Sequence, residues 1–241
     1  MKILIAENME EFDNFGASIV SEVISNKNDA TIGFATGSTP IGMYQKLIDM
    51  YNEGKLSFKD ITTFNLDEYV GLEKTHDQSY YYFMHDKLFN HVDIDESKVN
   101  FLSGTAKDTF AECKRYSDLL ASNPIDLQIL GIGANGHIGF NEPNTDFNSV
   151  TREVMLTEKT ITDNARFFES IDDVPKSALT MGINEIMAAK KIILLANGKN
   201  KADAVLSMIN GEVSSECPAS VLQLHNDVVV VLDKESASKI K

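Results

Sequence analysis

The run KIILLA (Lys191–Ala196) and its echo DVVVVL (Asp227–Leu232) decide the fold class, because each carries five consecutive apolar residues without polar alternation. A strand of that kind is covered on both faces, as happens in parallel sheets held between helix layers. Working outward, four more short β-rich runs read as strands: Lys2–Ala6, Thr31–Thr36, Ile61–Leu66 and Asp126–Gly131. Helical periodicity lies between them. Phe12, Phe15, Ile19 and Val23 form one stripe; Ile41, Tyr44, Leu47/Ile48 and Tyr51 a second; Phe110, Cys113, Tyr116 and Leu119/Leu120 a third. Asn8 and Glu11 have the spacing of a capping box before the first stripe. Alternation of this sort predicts a doubly wound α/β fold, a mostly parallel sheet with helices on both faces. Nothing marks an internal repeat or a linker, so residues 1–241 read as a single domain. The least regular stretch, Asn141–Asp173, is a candidate mobile lid.

The composition narrows the partners. The chain has 241 residues, with 22 Lys and Arg against 36 Asp and Glu, a net charge of −14. A main partner of nucleic acid calls for the opposite sign. A chain this long buries roughly 70% of its unfolded surface and needs no disulfide or structural metal. Cys113 and Cys217 lack CxxC spacing, and the five histidines contain no HxxxH pair, so neither disulfide nor metal site is expected. The start, MKILIAENMEEF, does not read as a signal peptide. No run reaches the length of a membrane span. The expected location is cytoplasmic.

Three motifs follow predicted strands. In Gly33-Phe34-Ala35-Thr36-Gly37-Ser38-Thr39-Pro40, Ser38 or Thr39 can cap a helix that Pro40 opens. The free N–H groups and dipole of such a start form an anion site, although an ordinary capped turn has the same pattern. Gly131-Ile132-Gly133-Ala134-Asn135-Gly136-His137 contains GxGxxG, but Gly139, Asn141 and Pro143 follow where a dinucleotide fold needs a helix. What remains is a histidine on a glycine-rich loop, with Glu142 five residues on. A carboxylate turned onto an imidazole orients it for general acid–base work; the plainer alternative is a surface histidine beside an unrelated acid. Phe64-Asn65-Leu66-Asp67-Glu68-Tyr69 places two acids at another strand end, where a partly desolvated carboxylate can act as a carbon base, or the pair can be a solvated turn or helix cap. Weaker signals are Arg166 beside Phe167 and Phe168, and Lys201 at a predicted helix start, where a cation is unhelpful unless an anion binds.

Taken in order, ATGSTP, FNLDEYVGL, GANGHIGFNEP, NARFF and the segment Ser215–His225 closely resemble the glucosamine-6-phosphate deaminase family over nearly the whole chain. The resemblance implies a modified Rossmann-like sandwich without a dinucleotide. It implies conversion of glucosamine 6-phosphate and water to fructose 6-phosphate and ammonia, with no metal or organic cofactor. It assigns Asp67 as the base at C2, His137 as the ring-opening acid/base and Glu142 as its partner. Asn135 stands where many relatives carry Asp and others Asn. Gly37, Ser38, Thr39, Arg166 and Lys201 match the phosphate-binding positions.

Two rivals stay open at this level: a 6-phosphogluconolactonase-like hydrolase, which needs no carbon base, and a non-catalytic sugar-phosphate sensor. DEYVGL and GFNEP favour the deaminase. Monomer and homo-oligomer are both compatible with the sequence. Some longer family members are hexamers activated by N-acetylglucosamine 6-phosphate through two basic residues after NEP. Here Arg152 holds the first position, Val154 the second, and Asp146 adds a repelling charge. The expectation is no such activation.

Overall fold

The computed structural model describes residues 1–158, 161–162, 168 and 170–240. Its centre is a seven-stranded parallel sheet in the order β1-β10-β9-β6-β2-β3-β5. These strands are β1 (Lys2–Ala6), β2 (Thr31–Phe34), β3 (Thr62–Asn65), β5 (Val99–Asn100), β6 (Leu127–Leu130), β9 (Ile192–Ala196) and β10 (Val228–Asp233). All six strands expected from the sequence are present. The seventh, β5, is a two-residue edge strand too short to leave a pattern. Every residue of β2, β6 and β9 is buried, as the unbroken apolar runs require, whereas β1 at the other edge leaves Ile3 and Ile5 exposed.

Helices among the described residues include α1 (Met9–Asn26), α2 (Ile41–Asn52), α3 (Tyr80–Lys87), α4 (Thr109–Ser122), α5 (Ile183–Met187) and α6 (Ala202–Asn210). Asn8 caps α1 by accepting from the Glu11 N–H at 3.0 Å. Right-handed crossovers place α1 and α2 on one face, since the chain moves from β1 through β2 to β3 in one direction along the sheet. The path from β5 through β6 and β9 to β10 runs the other way, so α4, α5 and α6 cover the second face. Phe34 on β2 stands edge-on to Tyr44 of α2, with ring centroids 5.8 Å apart. Phe64 on β3 meets Tyr116 of α4 in the same way at 5.5 Å. Of the third helical stripe, Phe110 departs from expectation: in the first turn of α4 it is 80% exposed, beyond the edge of the core.

The sequence pattern predicts no second sheet. The structure has one, three antiparallel strands in the order β4-β8-β7: β4 (Asp67–Tyr69), β7 (Arg152–Met155) and β8 (Ser177–Thr180). These strands are three or four residues long, and β8 is entirely buried. Runs so short give a period-two pattern no room to show. One of them, β7, lies inside the irregular stretch Asn141–Asp173, which is therefore not structureless throughout.

A polar anchor holds the amino ends of the central strands. Asp126 just before β6 accepts from Lys27 and Lys190 Nζ at 2.7 Å each and from the Thr31 N–H at 2.8 Å. The carboxyl ends are left for the site.

Candidate active site

β2 and β6 are neighbours, yet the chain leaves them in opposite directions along the sheet. The crevice outside their carboxyl ends is the topological switch point, where open α/β sheets bind ligands. Three of the sequence motifs meet there: the loop after β2 with Gly37, Ser38 and Thr39, the loop after β6 with Asn135 and His137, and the loop after β9 that leads to Lys201. Asp67 begins β4 directly beyond the end of β3. Arg166 lies outside the described residues.

Gly37 takes a positive φ of 96°, which lets the chain turn sharply off β2. The expected caps are not used: Pro40 occupies the cap position of α2, and no side chain closes its first turn. Thr39 instead donates to Asn197 Oδ1 at 3.0 Å and ties this loop to the one after β9. No side chain competes for the N–H groups of the first turn of α2, an arrangement that suits an anion. Lys201, half-buried at the start of α6, has its ammonium pKa lowered by burial, with no carboxylate offsetting it among the described residues. An anion in the crevice would restore that balance.

The loop after β6 is built around the imidazole. Residues 131–141 form turns with no helix, so the GxGxxG match is not a dinucleotide turn. The Gly133 N–H donates to the His137 carbonyl at 2.9 Å, closing the loop. A β-carbon at Gly133 would fall 2.3 Å from His137 Cε1, so only glycine lets the ring lie against the backbone. His137 Nδ1 is 3.3 Å from Glu142 Oε1, close enough for an ion pair but not aligned as a hydrogen bond. Asn135 bridges the two: its amide donates to Glu142 Oε2 at 2.6 Å, and its carbonyl accepts from the His137 N–H at 3.3 Å. The 3-10 segment Pro218–Leu224 braces the loop through the Ala219 N–H, which donates to the Gly136 carbonyl at 2.9 Å.

The two adjacent acids have different surroundings. Glu68 is buried and accepts from three N–H groups, Tyr69 at 2.9 Å and Tyr80 and Tyr81 at 3.0 Å each, which makes it a cap for α3. Asp67 is 7% exposed, and among the described residues none hydrogen-bonds to its carboxylate. Burial first, and the neighbouring Glu68 carboxylate second, push its pKa up to about 8. Once deprotonated, a carboxylate held this way is a stronger base than an ordinary one, and the deprotonated fraction grows as pH rises toward 8.

Asp67 and the His137 loop meet at Gly139, where φ is +56°. A β-carbon there would lie 3.1 Å from Thr180 Oγ1 and 3.5 Å from both Asn141 Nδ2 and Asp67 Oδ2. Thr180 Oγ1 also accepts from the Phe140 N–H at 3.2 Å. Fully buried Asn141 donates to the carbonyls of Ile138 and Met181 at 2.9 Å each. Sequence reasoning missed Thr180 and Asn141. Asn141 lay inside the quoted NEP motif, where its polarity among turn residues was a usable signal; Thr180 had none.

Fold and site together define an α/β protein with a buried carboxyl, Asp67, and a histidine set against a carboxylate, His137 with Glu142, at the mouth of a parallel sheet. The chain belongs to the family of glucosamine-6-phosphate isomerases and 6-phosphogluconolactonases, whose family model matches residues 6–231. It is 53% identical to the glucosamine-6-phosphate deaminase of Clostridium novyi (strain NT) over 100% of both chains. It is 51% identical to that of Thermoanaerobacter sp. (strain X514), over 100% of this chain and 95% of the relative. A solved monomeric glucosamine-6-phosphate deaminase superposes with a TM-score of 0.96 at 48% identity, covering 99% of this chain and 100% of its own. The 6-phosphogluconolactonase of Trypanosoma brucei shares the fold at a TM-score of 0.78 and 22% identity, covering 100% of this chain and 98% of its own. Among the described residues no helix is long and apolar enough to cross a membrane.

Proposed function

We propose that this protein is a cytoplasmic glucosamine-6-phosphate deaminase of amino-sugar catabolism, releasing fructose 6-phosphate and ammonia. The observation that carries the reading is the buried Asp67 carboxyl, without a hydrogen bond among the described residues, facing the loop of His137 and Glu142. A lactone hydrolase has no use for such a carbon base.

The chemistry follows from the substrate. A pyranose cannot isomerise while its ring is closed. His137, with Glu142 against Nδ1, moves the proton from the C1 hydroxyl to the ring oxygen, and the C1–O5 bond breaks to leave an aldehyde. Asp67 then removes the C2 proton; that electron pair forms the C1–C2 double bond while the carbonyl pair moves onto O1, which takes a proton, giving an enolamine. The double-bond pair then takes a proton at C1, and the nitrogen lone pair forms the C2 iminium. Water adds at C2, and ammonia leaves to give the ketone. The N–H groups at the start of α2, with Ser38, Thr39, Arg166 and Lys201, hold the phosphate away from the reacting carbons. That binding energy positions C1 and C2.

The test is an assay of ammonia released from glucosamine 6-phosphate. Steady release, with glucosamine itself a very poor substrate, is the expected result. Hydrolysis of 6-phosphogluconolactone without ammonia release would transfer the protein to the other arm of its family. Binding of the sugar phosphate without turnover would make it a sensor.

A further inference from the structure

The two proton-transfer groups stand on different elements, Asp67 on the small sheet and His137 with Glu142 on the loop after β6. Their spacing must be set by something that touches both. In the small sheet Thr180 is paired with Asp67 on one side and with Arg152 on the other. Directly paired residues of antiparallel strands put their side chains on the same face. Asp67, Thr180 and Arg152 therefore form one transverse row.

The loop lies along this row. Gly139 rests against Thr180 and Asp67, with no room for a β-carbon in ordinary contact with Thr180 Oγ1, at 3.1 Å. Thr180 holds the Phe140 N–H at 3.2 Å. Arg152 Nη1 donates to Asn141 Oδ1 at 2.9 Å. Asn141 precedes Glu142, and its amide closes the turn back onto Ile138, next to His137. Arg152 makes no direct ion pair among the described residues, its hydrogen bonds going to Asn141 and the Val150 carbonyl, and burial lowers its pKa. A half-buried guanidinium without a direct ion pair is costly; the Glu185 carboxylate favours its charge without pairing with it, and its shortest hydrogen bond among the described residues is to this loop amide. Buried Thr180 likewise has no core-packing need for a hydroxyl, which valine would fill equally well.

We propose that Thr180 and Arg152 are positioning residues that fix the distance between Asp67 and the His137–Glu142 pair by holding residues 139–141 against the base's own strand. The proposal rests on the deaminase reading above. It gives the antiparallel sheet a purpose: the base and the clamp on the acid/base loop share one rigid row, so the two groups move together or not at all. Misplacement by an ångström affects the transition state more than ground-state binding.

The test compares Thr180→Val with Thr180→Ser, and Arg152→Met with Arg152→Lys, each measured for kcat, KM and melting temperature with glucosamine 6-phosphate. Thr180→Val is expected to lower kcat at least tenfold with KM within about twofold, and Thr180→Ser, which keeps the oxygen, to recover most of it. Arg152→Met should fall in the same way, and the double variant should lose less than the product of the two, because both act on one loop. Near-native kcat in folded Thr180→Val or Arg152→Met overturns the proposal, as does a loss confined to KM. If Thr180→Val does not fold, the Arg152 pair decides alone. A wild-type protein that releases no ammonia would instead overturn the deaminase reading.

Discussion

Asp67 shows how much one side chain's surroundings decide. Its neighbour Glu68 has three N–H donors; Asp67 has none among the described residues and is buried. Its carboxyl, pushed up to about 8, binds a proton in the folded state that the unfolded chain has released above its ordinary value of 3.8. The folded protein therefore loses stability as pH rises from about 4 to about 8, at about 1.4 kcal/mol per pH unit at most. Asp67→Asn removes that loss. The variant should nearly abolish turnover and solvent-deuterium exchange at C2. It should also melt several degrees above wild type at high pH, at about 2–4 °C per kcal/mol for a chain of this size, and match it near pH 4. A variant that keeps near-native kcat removes Asp67 from the role of base; equal melting at all pH values removes the burial argument. Asn135 supports a second test. Its amide donates to Glu142 Oε2 at 2.6 Å, so Asn135→Asp sets two carboxylates beside His137. The added negative charge favours the imidazolium, and the histidine limb of the pH–rate profile should move upward. An unchanged profile would mean that residue 135 acts only through the backbone of the loop.

Among elements, α3 and β4 depend on each other through Glu68. A strand of three residues has little cohesion of its own. Its central residue gives its carboxylate to the first turn of α3, and Ser79 caps the same helix by accepting from the Tyr82 N–H at 3.0 Å. Glu68→Ala leaves buried N–H groups without acceptors, at about 1–3 kcal/mol each, and these costs do not add fully. We expect a loss of about 2–4 kcal/mol in denaturant unfolding, with Glu68→Gln intermediate because one oxygen still accepts. A smaller loss of kcat should accompany it, since β4 carries Asp67. An alanine variant as stable as wild type would show that the α3 start finds other acceptors. The loop after β6 is held in a comparable way: the Gly133 N–H closes it on itself, the Ala219 N–H braces it, and its Gly139 packs against Thr180 of the row.

For the whole molecule the main question is regulation. The longer relatives that the sequence resembles use the region after NEP to bind an activator. Here Arg152 is turned inward onto Asn141 at 2.9 Å, and Thr145 donates to the Glu142 carbonyl at 2.7 Å. These groups already serve the site. Allostery requires a second site with different affinities for two states, and the basic pair that would make it is reduced to one engaged arginine. Substrate titrations should be hyperbolic with and without N-acetylglucosamine 6-phosphate. Sigmoidal curves that the compound makes hyperbolic would contradict this and leave the catalytic assignment untouched.

The large sheet was legible in the sequence because burial on both faces forces unbroken apolar runs such as IILLA and VVVVL. The helices were legible because one-sided burial forces a 3.6-residue period. Ordered glycine-rich, histidine and acidic motifs at strand ends marked the candidate site for the same reason: a parallel sheet delivers all its carboxyl ends to one rim. The family resemblance singled out Asp67, but the local pattern could not show that Glu68 is the cap and that Asp67 has no hydrogen bond among the described residues, since that depends on where the start of α3 falls in space. Nor could it show the small sheet, whose strands are too short for a period and whose pairing joins residues 67, 180 and 152 across the chain. Periodicity reports burial of a continuous segment; the meeting of side chains far apart in sequence is decided only when tertiary packing closes.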